Sequence, residues 1–373
     1  MVGFGLLFAG AWLRPSLNNE LSYTNAADKA RTVPLAVPRN VEYELPQPST
    51  ELTGLLNSTK SPRLPVEEGL SPSLCLHLMK IRGIHAKLAL GPEEATETVS
   101  LINVIFDKRL GTKHFGRPAL VETRYGLRFP TFEYGYGHRS DESHRDQCLA
   151  MLAELGIPLS YSFTFNDKAF TLRDVLRDSI ANFHLEQEEL PWSAVAYALY
   201  LPPERSWTNR FGMHISFDNV VHALMKRPLA NASCGGSHLF YALTILARAD
   251  QQHPILSPEV RVETWEHLRR LVHLAARCQS RDGSWGSGWH QALHVSPEDS
   301  SPPVSVDTGD RLVITGHLSE WMLYLPEQLA VPESLLRRSS FWLSAHLDAT
   351  SEEQFWDNVC PFTHAICTVR PGS

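Results

Sequence analysis

Four polar stretches place histidine beside groups able to move protons or hold metal. They are Ser143-His144-Arg145-Asp146-Gln147, Cys234-Gly235-Gly236-Ser237-His238, Thr315-Gly316-His317 with Glu320, and Thr363-His364. Each stands where an apolar helical pattern begins. A helix N-terminus carries partial positive charge and so favours neutral imidazole over imidazolium. A neutral imidazole can accept a proton or bind a metal. If alternate helices stand side by side with their N-termini at one end, the four imidazoles converge on one mouth. His144, His238, His317 and Glu320 are then the expected catalytic set. The competing reading is capping, because polar residues at helix starts also satisfy orphan backbone donors.

Cys234 and His238 are four residues apart, and with His317 they would make a three-ligand zinc site with one open position. Against this, a free cysteine often serves as a small buried hydrophobe. A Cys-His nucleophilic pair lacks a third group that the sequence identifies as orienting the histidine. The segment Phe183-His184-Leu185-Glu186-Gln187-Glu188-Glu189-Leu190-Pro191-Trp192 brings three carboxylates beside an imidazole and an indole. Paired carboxylates serve glycoside cleavage, and the indole would be a stacking platform for a sugar. Glu186 and Glu188 read as solvated residues of a helix end, whereas Glu189 and Trp192 read as inward. With Gln147, His364 and Cys234 they form the expected ligand-binding set. Arg210 suits either an anionic ligand or backbone carbonyls.

The elements that must position these residues are helices. Leu172, Val175, Leu176, Ile180 and Phe183 form one apolar stripe, opened by Thr171 with Asp174 three residues later. Ser216 opens the next, with Phe217, Val220, Val221, Leu224 and Met225. Ser257-Pro258 is an N-cap followed by an N1 proline. Thr315-Gly316 is expected to precede a helix carrying Leu318, Trp321, Met322 and Leu325, and Pro332 another. Residues 159–171 alternate around Asn166-Asp167, which predicts a small β-hairpin. Alternate helices begin near His144, Trp192, His238, His317 and His364, at intervals of 48, 46, 79 and 47 residues. Most intervals equal one helical hairpin, and the long one holds the loop 280–312. Repeats of this size stack into an open solenoid or a closed ring.

Gln279-Ser280-Arg281-Asp282-Gly283-Ser284-Trp285 resembles the QxxDGSW motif of terpenoid cyclases and the wider prenyltransferase-like α/α toroids. The resemblance covers this motif and the hairpin period over roughly residues 72–369. It implies a ring of inner and outer helices with any site in the central cavity, and a structural role for Asp282 and Trp285. The departures bear on function. No DxDD is present for squalene-type cyclisation, and no DDxxD for ionising a diphosphate. The Asp-x-Cys zinc pattern of protein prenyltransferases is missing too. Cys234-Gly235-Gly236-Ser237 lacks the glutamine of complement-like thioester domains. The expected fold is therefore an all-α, α/α toroid of about five to six helical hairpins with a small β-hairpin insertion.

The chain has 373 residues, 43% hydrophobic and 20% charged, with a net charge of −7, which is ample apolar content for a core. An acidic balance lacks the basic footprint of a nucleic-acid binder. Six cysteines without a CxxC pair exclude a disulfide scaffold. Val2–Leu13 is uninterrupted apolar and small residues. As a helix it would be roughly 18 Å long against a hydrocarbon core of about 30 Å, too short to span but the length of a signal-peptide core. Its missing basic flank suggests a true start upstream.

Residues 1–13 are thus expected to be an anchor or truncated signal segment, 14–70 a Pro-rich tether, and 71–373 the toroid domain. The expected function is an exported or membrane-anchored protein binding a small molecule, a glycan, lipid or peptide, in a His/Trp/Glu-lined cavity. The alternatives are a glycan-active lyase, hydrolase or epimerase, and lastly an isoprenoid cyclase or prenyltransferase. Without the N-terminal element the protein would be cytoplasmic.

Overall fold

The computed structural model describes residues 26–35, 63–64, 70–90, 98–131, 138–202, 204–229, 232–290, 307–329 and 331–369. Val2–Leu13 and much of 14–70 lie outside them. The described residues are mainly helical. In chain order they comprise β1 (Arg63–Leu64), α1 (Pro72–Arg82), β2 (Lys87–Leu90), β3 (Thr98–Ser100), α2 (Leu101–Phe106) and α3 (Lys108–Phe115). There follow β4 (Val121–Thr123), β5 (Gly126–Arg128), α4 (Gln147–Glu154), β6 (Ser162–Phe165), β7 (Lys168–Thr171), α5 (Leu172–Asn182) and α6 (Leu190–Tyr200). The rest are β8 (Ser206–Thr208), β9 (His214–Ser216), α7 (Phe217–Lys226), α8 (Ser237–Gln252), α9 (Pro258–Cys278), α10 (Thr308–Tyr324), α11 (Glu333–Asp348), α12 (Glu352–Asp357) and α13 (Val359–Val369).

The caps follow from the sequence. Ser71 accepts from Leu74 N at 3.1 Å ahead of Pro72, and Thr171 and Ser216 close capping boxes with Asp174 and Asn219. Two kinds of helix result. On α6 all eleven residues are buried, whereas α7 buries only Phe217, Val220, Val221 and Leu224 along one stripe. Each such apolar side chain, fully buried, is worth about 1.5–3 kcal/mol. A helix apolar on every side must be enclosed by others, and one with a stripe must be peripheral. The packing agrees: α1 lies against α4, α4 against α6, α6 against α8, α8 against α10, α10 against α13, and α13 returns against α1. The striped α7, α9 and α11 pack on members of this cycle.

Gly316 shows why one joint of the cycle is so close. A Cβ there would lie 3.1 Å from Ala365 N and 3.2 Å from His364 Cβ, so the backbones of α10 and α13 nearly touch.

The Asn166-Asp167 turn has positive φ at both residues (50° and 60°) and joins β6 to β7 with Phe163 opposite Phe170, as the hairpin reading expects. Further small sheets form where none is expected: β1-β2-β3, β4-β5 and β8-β9. Their strands, of two to four residues, are too short to show alternation. Residues Ser100, Thr171 and Ser216 each end a strand and take the N-cap position of the helix that follows.

Two helix starts differ from expectation. Helix α10 begins at Thr308, about two turns before Thr315, and α13 begins at Val359 rather than at Thr363. Thr315-Gly316 looks like a start because both residues are poor helix formers. Both instead serve packing: Thr315 Oγ1 accepts from Trp285 N at 2.9 Å, and Gly316 makes room for α13.

The Gln279–Trp285 turn is structural. Gln279 Nε2 donates to Gly283 O and Leu335 O, both at 2.9 Å, and Trp285 Nε1 donates to Ala275 O at 2.9 Å. Asp282 pairs with Arg311 of α10. Within the segment expected to be a tether, Ala26, Ala27, Ala30 and Val33 are buried, and Val33 N donates to Leu199 O at 2.7 Å. Among the described residues no helix is long and apolar enough to cross a membrane.

Candidate functional site

The closing of the helix cycle gathers the expected histidines. Ring centroids run His144–His238 at 5.2 Å, His238–His317 at 5.5 Å and His317–His364 at 3.7 Å. A fifth imidazole, His77 of α1, follows at 5.7 Å from His364. The convergence is as expected, but its cause is not helix starts alone. His238 stands in the first turn of α8 and His144 just ahead of α4, whereas His317, His364 and His77 lie within α10, α13 and α1. The dipole argument therefore applies to His238, and burial does the rest.

Near the mouth, Glu189 stands at the N-cap position of α6 and meets His144 Nδ1 at 3.1 Å through Oε1, which also accepts from Ser233 Oγ at 2.5 Å. His238 Nδ1 lies 3.9 Å from the other carboxylate oxygen. Burial works to raise the Glu189 carboxyl, but the His144 hydrogen bond and the nearby His238 imidazole prevail and hold it below the usual carboxylate range. Deeper, Lys80 Nζ lies 2.8 Å from Glu320 Oε1 and 3.2 Å from Glu154 Oε2, and His364 Nδ1 bonds Glu320 Oε2. Burial again opposes ionisation, and Lys80 with His364 overrides it, holding Glu320 at about 2. Lys80 is itself held well above its ordinary value, because Glu154 and Glu320 outweigh its own burial.

Three imidazoles have defined tautomers. His77 Nδ1 donates to Ser73 O at 2.7 Å, and His317 Nδ1 to Val313 O at 2.8 Å. A carbonyl only accepts, so Nδ1 carries the proton and Nε2 keeps a lone pair when the ring is neutral. Burial, reinforced by the neighbouring His364, holds His77 at about 3 and His317 well below the ordinary histidine value. His364 is oriented likewise by the Glu320 carboxylate. Burial also lowers His238.

Cys234 is half-buried with φ of 49°, a left-handed conformation unusual for a residue with a Cβ. Burial pushes its thiol up to about 12, so by itself it is not a thiolate nucleophile at neutral pH. Trp192 is buried rather than an open sugar platform, with its ring 4.9 Å from that of His238 and 6.5 Å from that of His144. Its placement follows from α6 being enclosed on all sides. Trp192 Nε1, His238 Nδ1, Tyr241 Oη and Gln147 Oε1 are buried with no hydrogen-bond partner among the described residues. Such groups cost about 1–3 kcal/mol each when left dry, which marks a place for water or ligand.

A cleft of about 980 Å³ opens at this mouth, lined by His144, Asp146, Glu189 and Ser233 among others. Glu142 builds its edge by accepting from Asp146 N at 2.8 Å and Cys148 N at 3.0 Å, which covers the α4 N-terminus. Burial and the adjacent Asp146 push the Glu142 carboxyl well above the usual range. Asp146, at φ of 61°, accepts from Ser179 Oγ at 2.8 Å and from Ser193 Oγ. These two acids hold the strand of chain that presents His144. A second hollow of about 440 Å³ is lined by Ser73, His77, Ser143 and Cys360. Ser143 borders both.

Glu186 and Glu188 are exposed, as expected. Arg210 lies over the Phe211 ring at 4.5 Å, outside the cluster. Sequence reasoning missed His77, Lys80, Tyr241 and Cys360. One signal for Cys360 was present: Cys360 and His364 repeat the four-residue spacing of Cys234 and His238.

No family model matches this chain, and no curated protein or solved structure matches it either.

Proposed function

We propose that this chain is an α/α toroid of the terpenoid cyclase and prenyltransferase-like kind, and that its mouth performs acid–base chemistry on a hydroxyl-rich ligand, a glycan. The cyclic packing of α1, α4, α6, α8, α10 and α13, with striped helices outside it, supports the toroid reading. The observation that carries the function is the His144–Glu189 pair at 3.1 Å, opening onto the large cleft. Glu189 orients the imidazole and His144 transfers the proton, a division of labour common to carboxylate–histidine pairs.

The charged and hydroxyl groups of the cleft suit a polar ligand better than an isoprenyl chain. The closest acid–base contact in the cleft joins an imidazole to a carboxylate rather than two carboxylates, so proton abstraction of the lyase or epimerase type fits better than hydrolysis. An export or anchoring role for Val2–Leu13 belongs to the same proposal, since it would place the cavity among extracellular glycans.

Purified protein should be screened by thermal shift and by turnover against acidic and neutral oligosaccharides. A shift or turnover present in wild type and lost in His144→Ala is expected. Binding of an isoprenyl diphosphate with no response to any oligosaccharide would overturn the proposal.

A further inference from the structure

One pattern occurs twice around the helix cycle. On α8 and the short helical turn ahead of it, Cys234 and His238 are four residues apart, and His317 reaches them from the neighbouring α10. On α13, Cys360 and His364 have the same spacing, and His77 reaches them from the neighbouring α1. In each trio the donor atoms all lie within 4.8 Å of one another. We infer that the chain holds two zinc-class divalent ions side by side, one in Cys234–His238–His317 and one in Cys360–His364–His77.

Zinc–donor distances of about 2.0–2.3 Å place tetrahedral donors roughly 3.3–3.8 Å apart, so each trio needs only side-chain adjustment to close on an ion. Soft thiolate with imidazole selects zinc, cobalt(II) or copper over magnesium or calcium. Three ligands from the chain leave a fourth position for water or substrate, the mark of a catalytic rather than a structural zinc site.

The surroundings are those a metal site requires. A ligating imidazole normally commits its other nitrogen to a carbonyl or carboxylate. His77 does so with Ser73 O, His317 with Val313 O and His364 with Glu320. His238 is 5% exposed and its Nδ1 has no hydrogen-bond partner among the described residues, an expense that a ligand would relieve. The His317 and His364 rings, one from each trio, lie with centroids 3.7 Å apart and planes tilted by 33°, which places the two sites next to each other. Charge is provided for: two thiolates, with Glu189 and Glu320 near by, face two divalent ions and Lys80. Binding replaces each thiol proton by the metal, and that proton leaves to solvent. Cys234 and Cys360 are both half-buried, and Cys360 and His77 line the 440 Å³ hollow, which provides an entry path.

The trios are distinct from the His144–Glu189 pair, so the inference stands whether or not the ligand is a glycan. Chelator-stripped full-length protein should be titrated with zinc by calorimetry, with bound metal counted by elemental analysis. Two equivalents are expected for wild type, one for Cys360→Ser and for His77→Ala, one for Cys234→Ser, and none for Cys234→Ser with Cys360→Ser. Cobalt(II) loading should produce thiolate-to-metal charge-transfer absorption that halves in each single cysteine variant. Circular dichroism of every variant confirms the fold, and Cys75→Ser, a buried thiol outside both trios, should keep two equivalents. Fewer than two equivalents in wild type, or a count unmoved in the four variants, overturns the inference.

Discussion

Glu189 and Glu320 are the same residue in nearly the same company, yet their surroundings give them different work. Each touches an imidazole, and each is held below the usual carboxylate range. Glu189 keeps 15% of its side chain exposed, borders the large cleft and is satisfied by groups that can let go, an imidazole and a hydroxyl. Glu320, at 3%, is locked between Lys80 and His364. A carboxylate clamped by a buried ammonium is part of the frame. One held by a half-exposed imidazole is poised to respond to a ligand. Burial and the choice of counter-charge, more than residue type, separate the two roles.

The comparison breaks first at Lys80. Lys80→Met should leave Glu154 and Glu320 facing each other without a cation and cost about 3–5 kcal/mol in urea unfolding. A cost below about 1 kcal/mol would show the clamp to be dispensable. Glu189→Gln should do the opposite: stability within about 1 kcal/mol of wild type, with turnover of the responding glycan down at least ~100-fold. Turnover within about twofold of wild type would remove Glu189 from the pair.

Gly316→Ala probes the joint between the two regions. A Cβ against Ala365 N must push α13 and His364 away, at about 1–3 kcal/mol, with thermal denaturation as the measurement. The pH dependence is the finest test. Glu320 is held at about 2 against an ordinary value of 4.5, so its contribution is complete above pH 4.5 and is lost as pH falls toward 2. Unfolding free energy should therefore drop by up to about 1.4 kcal/mol per pH unit from this group in that window. Glu320→Gln should flatten the slope.

The local grammar of the chain was readable without coordinates. Thr171 with Asp174, Ser216, Ser257-Pro258 and the Asn166-Asp167 turn do what their residue types dictate, because caps and turns depend on neighbours within four residues. The convergence of His144, His238, His317 and His364 was readable from their spacing. Lys80, His77 and Tyr241 were not, because they sit on helices with no marker that distinguishes a cavity-facing polar residue from a solvated one. The short strands β4-β5 and β8-β9 were equally silent. Their pairing leans on tertiary contacts, as where Gly126 of β5 lies hard against Asp174 O of α5.

Sequence alone therefore determined the helices, their boundaries at true caps and the register at which imidazoles recur. Only the tertiary structure decided which nitrogen of His77, His317 and His364 is free, which carboxylate is locked and that His77 meets His364. Those outcomes depend on distances between residues up to hundreds of positions apart. Such distances are set when α13 closes against α1, and no pattern confined to a few turns of chain encodes that closure.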